Sequence, residues 1–337
     1  MINVKVIAEF GQGARGDVDV AIAQATAASV AGCFAAKFQC FQPERLASKA
    51  APRYWSPELG GSESQLKTFR RNRTFTLDGW KTLVAACDEI GIKFACSPFD
   101  YEAVDMLDDL GCEVFKIASG EITHVQMLRR IQKVCANTHR QVILSAGAAT
   151  RDEIWRALDW LDGCKVTVLA CSLAYPTSPV DANLLRIDAM SGLPCPVGFS
   201  DHTTLVETGM AAVMVGAVML EKHCRLQRGS GVPDDRMALT PDRLAEYVRL
   251  ANLGAQLCGR PDLRPSSAEA AARAGARRSL HTSKPLRRGH VFEETDFVML
   301  RPAEGGYAPF DVGRLVGRKL TRTLGRGDQI RLNDVAQ

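Results

Sequence analysis

PVGFSDHTTLVETGMAAVMVGAVMLEKHC, residues 196–224, reads as an apolar strand, a helix and a second apolar strand. The strands are PVGFSDH (196–202) and VMLEKHC (218–224), and the helix between them, 204–216, stops at Gly216. Short apolar runs without polar alternation belong to parallel strands covered on both faces. Each strand closes on a histidine, His202 and His223. Parallel neighbours bring both side chains out at the same sheet edge, where two imidazoles make a candidate metal site with open positions. Either histidine alone reads as a core residue with satisfied hydrogen bonds. The pair, at the same relative place on consecutive strands, points to a ligand set.

Six more runs of the same kind precede this unit: VKVIAEF (4–10), CFAAKFQ (33–39), KFACSPF (93–99), EVFKIAS (113–119), QVILSAG (141–147) and VTVLACS (166–172). Helical patterns alternate with them. Residues 18–32 carry an apolar stripe ending at Gly32, 76–91 stop at Gly91, and 149–163 open with Thr150 and Glu153 spaced as a capping box. Eight β/α units in this length predict an α/β fold, a (β/α)8 TIM barrel spanning 1–258. A doubly wound open sheet is the alternative; the count of eight and the lack of a GxGxxG fingerprint disfavour it. Residues 43–75 interrupt the rhythm with a long polar, turn-rich stretch, read as a functional lid rather than a connector. A linker is expected over 259–279. A small β-rich domain is expected over 280–337, where LRRGHVFEETDF (286–297) resembles LGRGDQIRLNDV (324–335).

Composition bounds the function. Of 337 residues, 46% are apolar and 24% charged, which is an ordinary globular profile. A net charge of +4 is too small to suggest nucleic acid. Eleven cysteines, many inside apolar runs and none in a CxxC pair, fit a reducing compartment. The start, MINVKVIAEF, lacks the features of a signal peptide, and no run reaches membrane-spanning length. A cytoplasmic protein with no membrane partner is expected.

A barrel carries its chemistry at the C-terminal strand ends. These ends hold Glu9, Lys37, Gln39, Ser97, Lys116, Ser119, Glu121, Ser145, Ser172, Tyr175, Ser200, Asp201, His202, Glu221 and His223. Lys37 and Lys116 lie inside apolar strands, and a buried lysine is costly without an anionic partner. A phosphate or carboxylate ligand, with Ser97, Ser119 and Ser200 as hydroxyl donors, would supply one. Internal pairing of the lysines with Glu9 or Glu221 is the competing account. Glu121 and Asp234, the latter on a loop after His223, are candidate acids or bases. The set reads as a divalent metal, an anionic substrate and one or two carboxylates.

The motifs IAEFG, KFQ (37–39), FKIASGE (115–121), ILSAGAAT (143–150), YPTSP (175–179), GFSDHT (198–203) and EKH (221–223) together resemble the sialic acid synthases. The tail RRSLHTSKPLRRGHVFEETDFVMLRP resembles that family's antifreeze-like (SAF) domain, a β-clip. The resemblance implies condensation of phosphoenolpyruvate with an N-acetylmannosamine-like aldose, giving a 3-deoxy-2-keto sugar acid and phosphate. By it, His202 and His223 hold the divalent cation, manganese before magnesium or cobalt. Lys37, Ser97, Lys116, Ser119 and Ser200 bind phosphoenolpyruvate. Glu9, Glu121, Tyr175 and Asp234 surround the reacting carbons. Gln39, Tyr175, Asp234 and, from a domain-swapped homodimer, Arg301 meet the sugar.

The chain departs from the family pattern at several sugar-side places. Gly13 and Ala14 stand where an Asn-His pair is usual, Leu173 where Asn is frequent, and Gly61 where a sugar-contacting Asn is common. The expectation is a conserved condensation with an altered acceptor, unless Gln12 or Arg15 supply equivalent contacts. A metal-dependent pyruvate aldolase and a non-catalytic carbohydrate-binding protein are the other readings.

Overall fold

The computed structural model describes residues 4–53, 55, 64–226 and 231–336. The chain divides into two compact units, Met1–Gly259 and Arg260–Gln337.

The first unit is a closed barrel of eight parallel strands in sequence order. The strands are β1 (Lys5–Glu9), β2 (Ala35–Cys40), β3 (Lys93–Pro98), β4 (Val114–Ile117), β5 (Gln141–Ser145), β6 (Lys165–Cys171), β7 (Val197–Asp201) and β8 (Met219–His223). β1 closes the barrel on β8, with Lys5 opposite Met219 and Glu9 opposite His223. The helices between strands are α1 (Val18–Val30), α2 (Pro43–Leu46), α3 (Gln65–Arg71), α4 (Leu77–Ile90), α5 (Tyr101–Asp109), α6 (Val125–Cys135), α7 (Arg151–Trp160), α8 (Leu185–Ala189) and α9 (Glu207–Val215). α10 (Pro241–Cys258) follows β8. The sequence reading of eight strands holds, with ends shifted by a residue or two.

Local signals account for the helix ends. Asp17 accepts hydrogen bonds from the backbone of Asp19 and Val20 at the start of α1. Thr150 and Glu153 form the expected reciprocal capping box on α7. Gly91 ends α4 in the left-handed conformation, at φ 78°.

Side-chain alternation divides the barrel wall. Outward residues such as Phe38, Phe94, Phe115, Phe199 and Leu220 join the main core beneath the helices. Inward, Ile7, Ala35, Ala95, Val114, Ile143, Leu169 and Met219 form a separate apolar layer. Two residues further along each strand the inward layer turns polar: Glu9, Lys37, Ser97, Lys116, Ser145, Cys171 and Glu221, all buried. The apolar layer is the floor on which the site stands.

Gly198 is the eighth member of that floor. A Cβ there would collide with the Met219 carbonyl oxygen and lie 2.6 Å from Leu169 Cδ2. Gly198→Ala is expected to destabilise the barrel by about 3 kcal/mol, the upper end for overpacking against backbone. An unchanged urea midpoint would refute this.

The 43–75 stretch is less irregular than its sequence suggests. It contains α2 and α3, and Phe41, Ala47, Leu66 and Phe69 pack into a small core of their own.

In the second unit, β9 (Ser279–Thr282) pairs antiparallel with β10 (Phe297–Leu300). Two short helices, α11 (Ala270–Ala276) and α12 (Val312–Leu315), accompany them. The sequence repeat is a structural repeat. Leu286 and Leu324, its two starting residues, exchange backbone hydrogen bonds of 2.8 and 2.9 Å. Gly289 and Gly327 both turn at positive φ. Asp296 accepts from the Glu293 backbone and Asp334 from the Arg331 backbone, each closing an equivalent 3-10 turn. Phe292 and Ile330 fill matching places in one small core with Leu280, Leu315 and Leu320.

Candidate active site

Two adjoining cavities open at the C-terminal end of the barrel. The inner one, about 70 Å³, is lined by Glu9, Lys37, Gln39, Ser97, Lys116, Ser119, Ser145, Cys171, Tyr175, Ser200, His202, Glu221 and His223, with Phe99 and Ala118. The outer one, about 400 Å³, has Glu121, Asp234, Gln12, Gln39, Gln65, Ser119, Tyr175 and His223 as its polar lining, and Leu46, Trp55, Phe69, Phe99 and Leu173 among its apolar lining. Gln39, Phe99, Ala118, Ser119, Tyr175 and His223 border both. Every barrel residue given a metal, phosphoenolpyruvate, sugar or acid–base role therefore lines one cavity or both, whereas Ser172 and Asp201 of the strand-end set line neither. Arg301 lies in the second unit, exposed, just before a cis Arg301–Pro302 peptide.

The inner cavity is built from ionisable groups. Lys37 Nζ lies 2.5 Å from Glu9 Oε2 and 3.4 Å from Glu221 Oε1, and donates to Ser97 Oγ at 3.0 Å. Lys116 Nζ lies 3.4 Å from Glu221 Oε2 and donates to the Ile117 carbonyl. Gln39 donates to Glu9 at 2.8 Å. The internal Lys–Glu pairing weighed from the sequence is thus present. It does not account for the hydroxyls gathered around it. Ser145 Oγ is buried and has no hydrogen-bond partner among the described residues, and buried polar atoms are ordinarily satisfied.

Burial and neighbours split the charges. Burial raises Glu9 against the pull of Lys37. Glu221 is lowered: burial works the other way, but Lys116 and Lys37 outweigh it. Lys37 is held above the ordinary lysine range, because Glu9 and Glu221 overcome its burial. Lys116 is lowered by burial and by Lys37, with Glu221 offsetting only part. Of the two cations, Lys116 is the one whose charge an incoming anion would stabilise more.

The histidine pair stands where the sequence places it, with ring centroids 5.4 Å apart and Tyr175 4.4 Å from His202. His202 Nδ1 is 2.8 Å from the Ser172 carbonyl, which leaves Nε2 as its remaining ring nitrogen. Burial opposes charge on His202, but Cys171 Sγ 3.7 Å away, itself lowered by His202 against its burial, the Ser172 carbonyl and Glu221 raise it to about 9, so a bound cation would have to displace that ring's proton. Burial, reinforced by His202, holds His223 well below the ordinary imidazole range, so its ring is neutral at pH 7. Asp234 Oδ2 is 3.9 Å from His223 Nδ1. Two imidazoles with one ring already oriented suit a borderline divalent cation. Among the described residues no three His, Cys, Asp or Glu side chains are grouped to hold one ion.

Burial lifts Glu121 to about 7, and lifts Asp234, with help from Glu9, to about 7 as well. A carboxyl raised on folding contributes stability that is fully present below its unfolded pKa of 4.5 and lost as the pH passes about 7. Glu121→Gln should therefore raise stability at pH 8 by up to about 3 kcal/mol and leave it unchanged at pH 4. Urea unfolding at both pH values tests this; an equal shift at the two would refute it.

The residues that differ from the expected pattern are placed as follows. Gly13 and Ala14 sit in the turn after β1, where Gly13 N bonds the Phe10 carbonyl and Ala14 is buried. Gln12 is the residue of that turn that lines the outer cavity, and it accepts from Asn72 at 2.9 Å. Leu173 lines the same cavity. Gly61 lies outside the described residues. Sequence reasoning left several lining residues out of the site set. Glu221 and Ser145 stood among the strand ends; the inward period that runs through Lys116 and His223 would have selected them. Cys171, inside the run VTVLACS (166–172), reads in the sequence only as a buried cysteine. Trp55, Gln65 and Phe69 carry no chemical motif and reach the cavity through the packing of the 43–75 segment.

Fold and site together define a (β/α)8-barrel enzyme whose cavity is built from buried ionisable side chains. Residues 24–261 match the NeuB family and residues 277–336 match the SAF domain. The N,N'-diacetyllegionaminic acid synthase of Campylobacter jejuni is 32% identical, over 90% of this chain and 92% of its own length. The human N-acetylneuraminate-9-phosphate synthase is 31% identical over 96% and 90%. The crystal structure of the N-acetylneuraminic acid (sialic acid) synthetase from Leptospira borgpetersenii superposes with a TM-score of 0.71 at 28% identity, covering 80% of this chain and 90% of that one. The chain belongs to the NeuB family, as an enzyme of the sialic acid synthase type with a C-terminal SAF domain. Among the described residues no helix is long and apolar enough to cross a membrane.

Proposed function

We propose that the chain condenses phosphoenolpyruvate with an aldose, releasing phosphate and forming a 3-deoxy-2-keto sugar acid of the nonulosonate type. The observation that carries this is the two-part site: a small ionised cavity sharing one border with a larger cavity that is half apolar. The inner cavity suits a compact, doubly anionic molecule. Lys116, Lys37 and the hydroxyls of Ser97, Ser119 and Ser200 bind its phosphate and carboxylate. The outer cavity takes the aldose, with Glu121, Asp234 and Gln39 toward its hydroxyls. Names of relatives, a legionaminic and a neuraminate-phosphate synthase, favour the same chemistry.

In this reading C3 of phosphoenolpyruvate bonds to the aldehyde carbon at the shared border. The aldehyde oxygen becomes a hydroxyl, water adds at C2, and phosphate leaves by C–O cleavage. The carbon that becomes electron-poor, C2, lies near the carboxylates Glu9 and Glu221. Glu121 and Asp234, both near neutrality, are matched to giving and taking the two protons involved. A divalent cation held by His202 and His223, manganese in the first instance, would supply Lewis-acid polarisation of the aldehyde. Leu46, Trp55, Phe69 and Leu173 in the outer wall favour an acceptor that presents methyl or acyl groups to them, distinct from a fully hydroxylated hexose. Pairing of two chains, with Arg301 serving the acceptor site in trans, and a cytoplasmic location complete the reading.

The test is phosphate release from phosphoenolpyruvate with a panel of aldoses and manganese, followed by product mass. The panel spans N-acetylmannosamine, its 6-phosphate, 6-deoxy-diacetamido hexoses and plain hexoses. Release is expected only with an aldose and to cease on chelation. No release with any aldose would sink the reading, and turnover of pyruvate in place of phosphoenolpyruvate would favour the aldolase.

A further inference from the structure

We propose that the buried Asp201–Lys222 ion pair, on the outer side of the barrel wall, is a positioning device that sets the separation of His202 and His223. The inference rests on the reading of those imidazoles as the cation site.

Asp201 and Lys222 are cross-strand partners, the last pair in register between β7 and β8. Each immediately precedes one of the histidines. Strand alternation sends neighbours to opposite faces, so the histidines face the cavity while Asp201 and Lys222 face the helices. Both are fully buried, with Lys222 Nζ 3.0 Å from Asp201 Oδ2. Lys222 also donates to the Thr203 carbonyl at 2.6 Å, and lies 5.4 Å from the centre of the Tyr247 ring on α10. Thr203 N donates to Asp201 Oδ1 at 2.8 Å, and Thr203 Oγ1 meets Thr208 Oγ1 at 2.9 Å. The residue after His202 is thereby tied to the residue before His223.

A buried ion pair confers little stability over apolar groups of the same shape. Stability therefore does not explain why charge is spent here. Position does. The β7–β8 ladder ends at this pair, and a direct ion-pair contact across the last rung holds both strand ends where backbone pairing stops. The same ends are fixed from other sides, by Thr177 N on the His202 carbonyl and Leu239 N on the His223 carbonyl, at 2.9 and 2.8 Å. Between these ties each imidazole has a fixed root.

The test is titration of the metal-free full chain with cobalt(II) alone, read by its visible absorption, together with urea unfolding. Asp201→Leu combined with Lys222→Met removes both charges and leaves neither one orphaned. The double variant is expected to fold with some stability lost, because Thr203 N and the Thr203 carbonyl lose their side-chain partners, and to bind cobalt(II) about tenfold to a hundredfold more weakly with an altered spectrum, as for other residues behind metal ligands. Asp201→Asn combined with Lys222→Met, which also removes both charges but keeps an acceptor for Thr203 N, should weaken binding in the same direction and serves if the first double variant does not fold. Binding and spectrum equal to the unaltered protein in a folded variant would overturn the positioning role alone. No cobalt binding by the unaltered protein would overturn the cation reading and this role with it.

Discussion

Lys37→Met is expected to lower phosphate release by about 10²–10³-fold, the loss typical of removing one charged or hydrogen-bonding group from a transition state, and to destabilise the protein as well. The two effects share one cause. Lys37 is the common partner of Glu9 and Glu221, at 2.5 and 3.4 Å, and all three are buried. Without it, Glu9, already raised by burial, loses its main compensation. Leaving a buried charge unpaired costs about 3–5 kcal/mol. Lys116→Met provides the contrast. Lys116 has one carboxylate within ion-pair distance, Glu221 at 3.4 Å, and its charge is opposed by burial. Its removal should cost similar activity with far less stability. Phosphate-release rates and urea midpoints for both variants decide the matter. Equal stability losses, or full activity in Lys37→Met, would contradict the account.

His202→Ala is expected to reduce phosphate release by about 10³-fold, because losing Lewis-acid assistance costs several kcal/mol and each 1.4 kcal/mol is a factor of ten. The ring is held by the Ser172 carbonyl at 2.8 Å and faces His223 at 5.4 Å. Its removal leaves one imidazole, too few to retain a cation in competition with water. Manganese binding followed by electron paramagnetic resonance should be lost in parallel with activity. Activity unchanged in a variant that no longer binds manganese would separate the histidine pair from catalysis.

Much of this site was legible in the linear chain because a barrel strand obeys a strict period of two. Lys37, Lys116, His202 and His223 lie in apolar runs, where a polar residue is costly, so each is conspicuous. The tandem LRRGHVFEETDF and LGRGDQIRLNDV was legible for a similar reason: the same turn glycine and the same capping aspartate are needed twice. Partnership was not legible. The sequence offered two accounts of the lysines, an anion or an internal carboxylate, and only the fold shows that Glu9 and Glu221 take them up while Ser145 has no hydrogen-bond partner among the described residues. The wall formed by Trp55, Gln65 and Phe69 was hidden too. Those residues follow no period and reach the cavity through the packing of α2 and α3 rather than through a strand.

By itself the sequence determined the barrel, its eight strand ends and the chemical types that stand on them, since periodicity and burial cost are local properties of the chain. The tertiary structure alone decided which charges neutralise one another, that burial lifts Glu121 and Asp234 to about 7, and that an ion pair lies behind the two histidines. Those outcomes depend on distances between strands far apart in sequence and on how much water the closed barrel excludes, and no stretch of residues encodes either one separately.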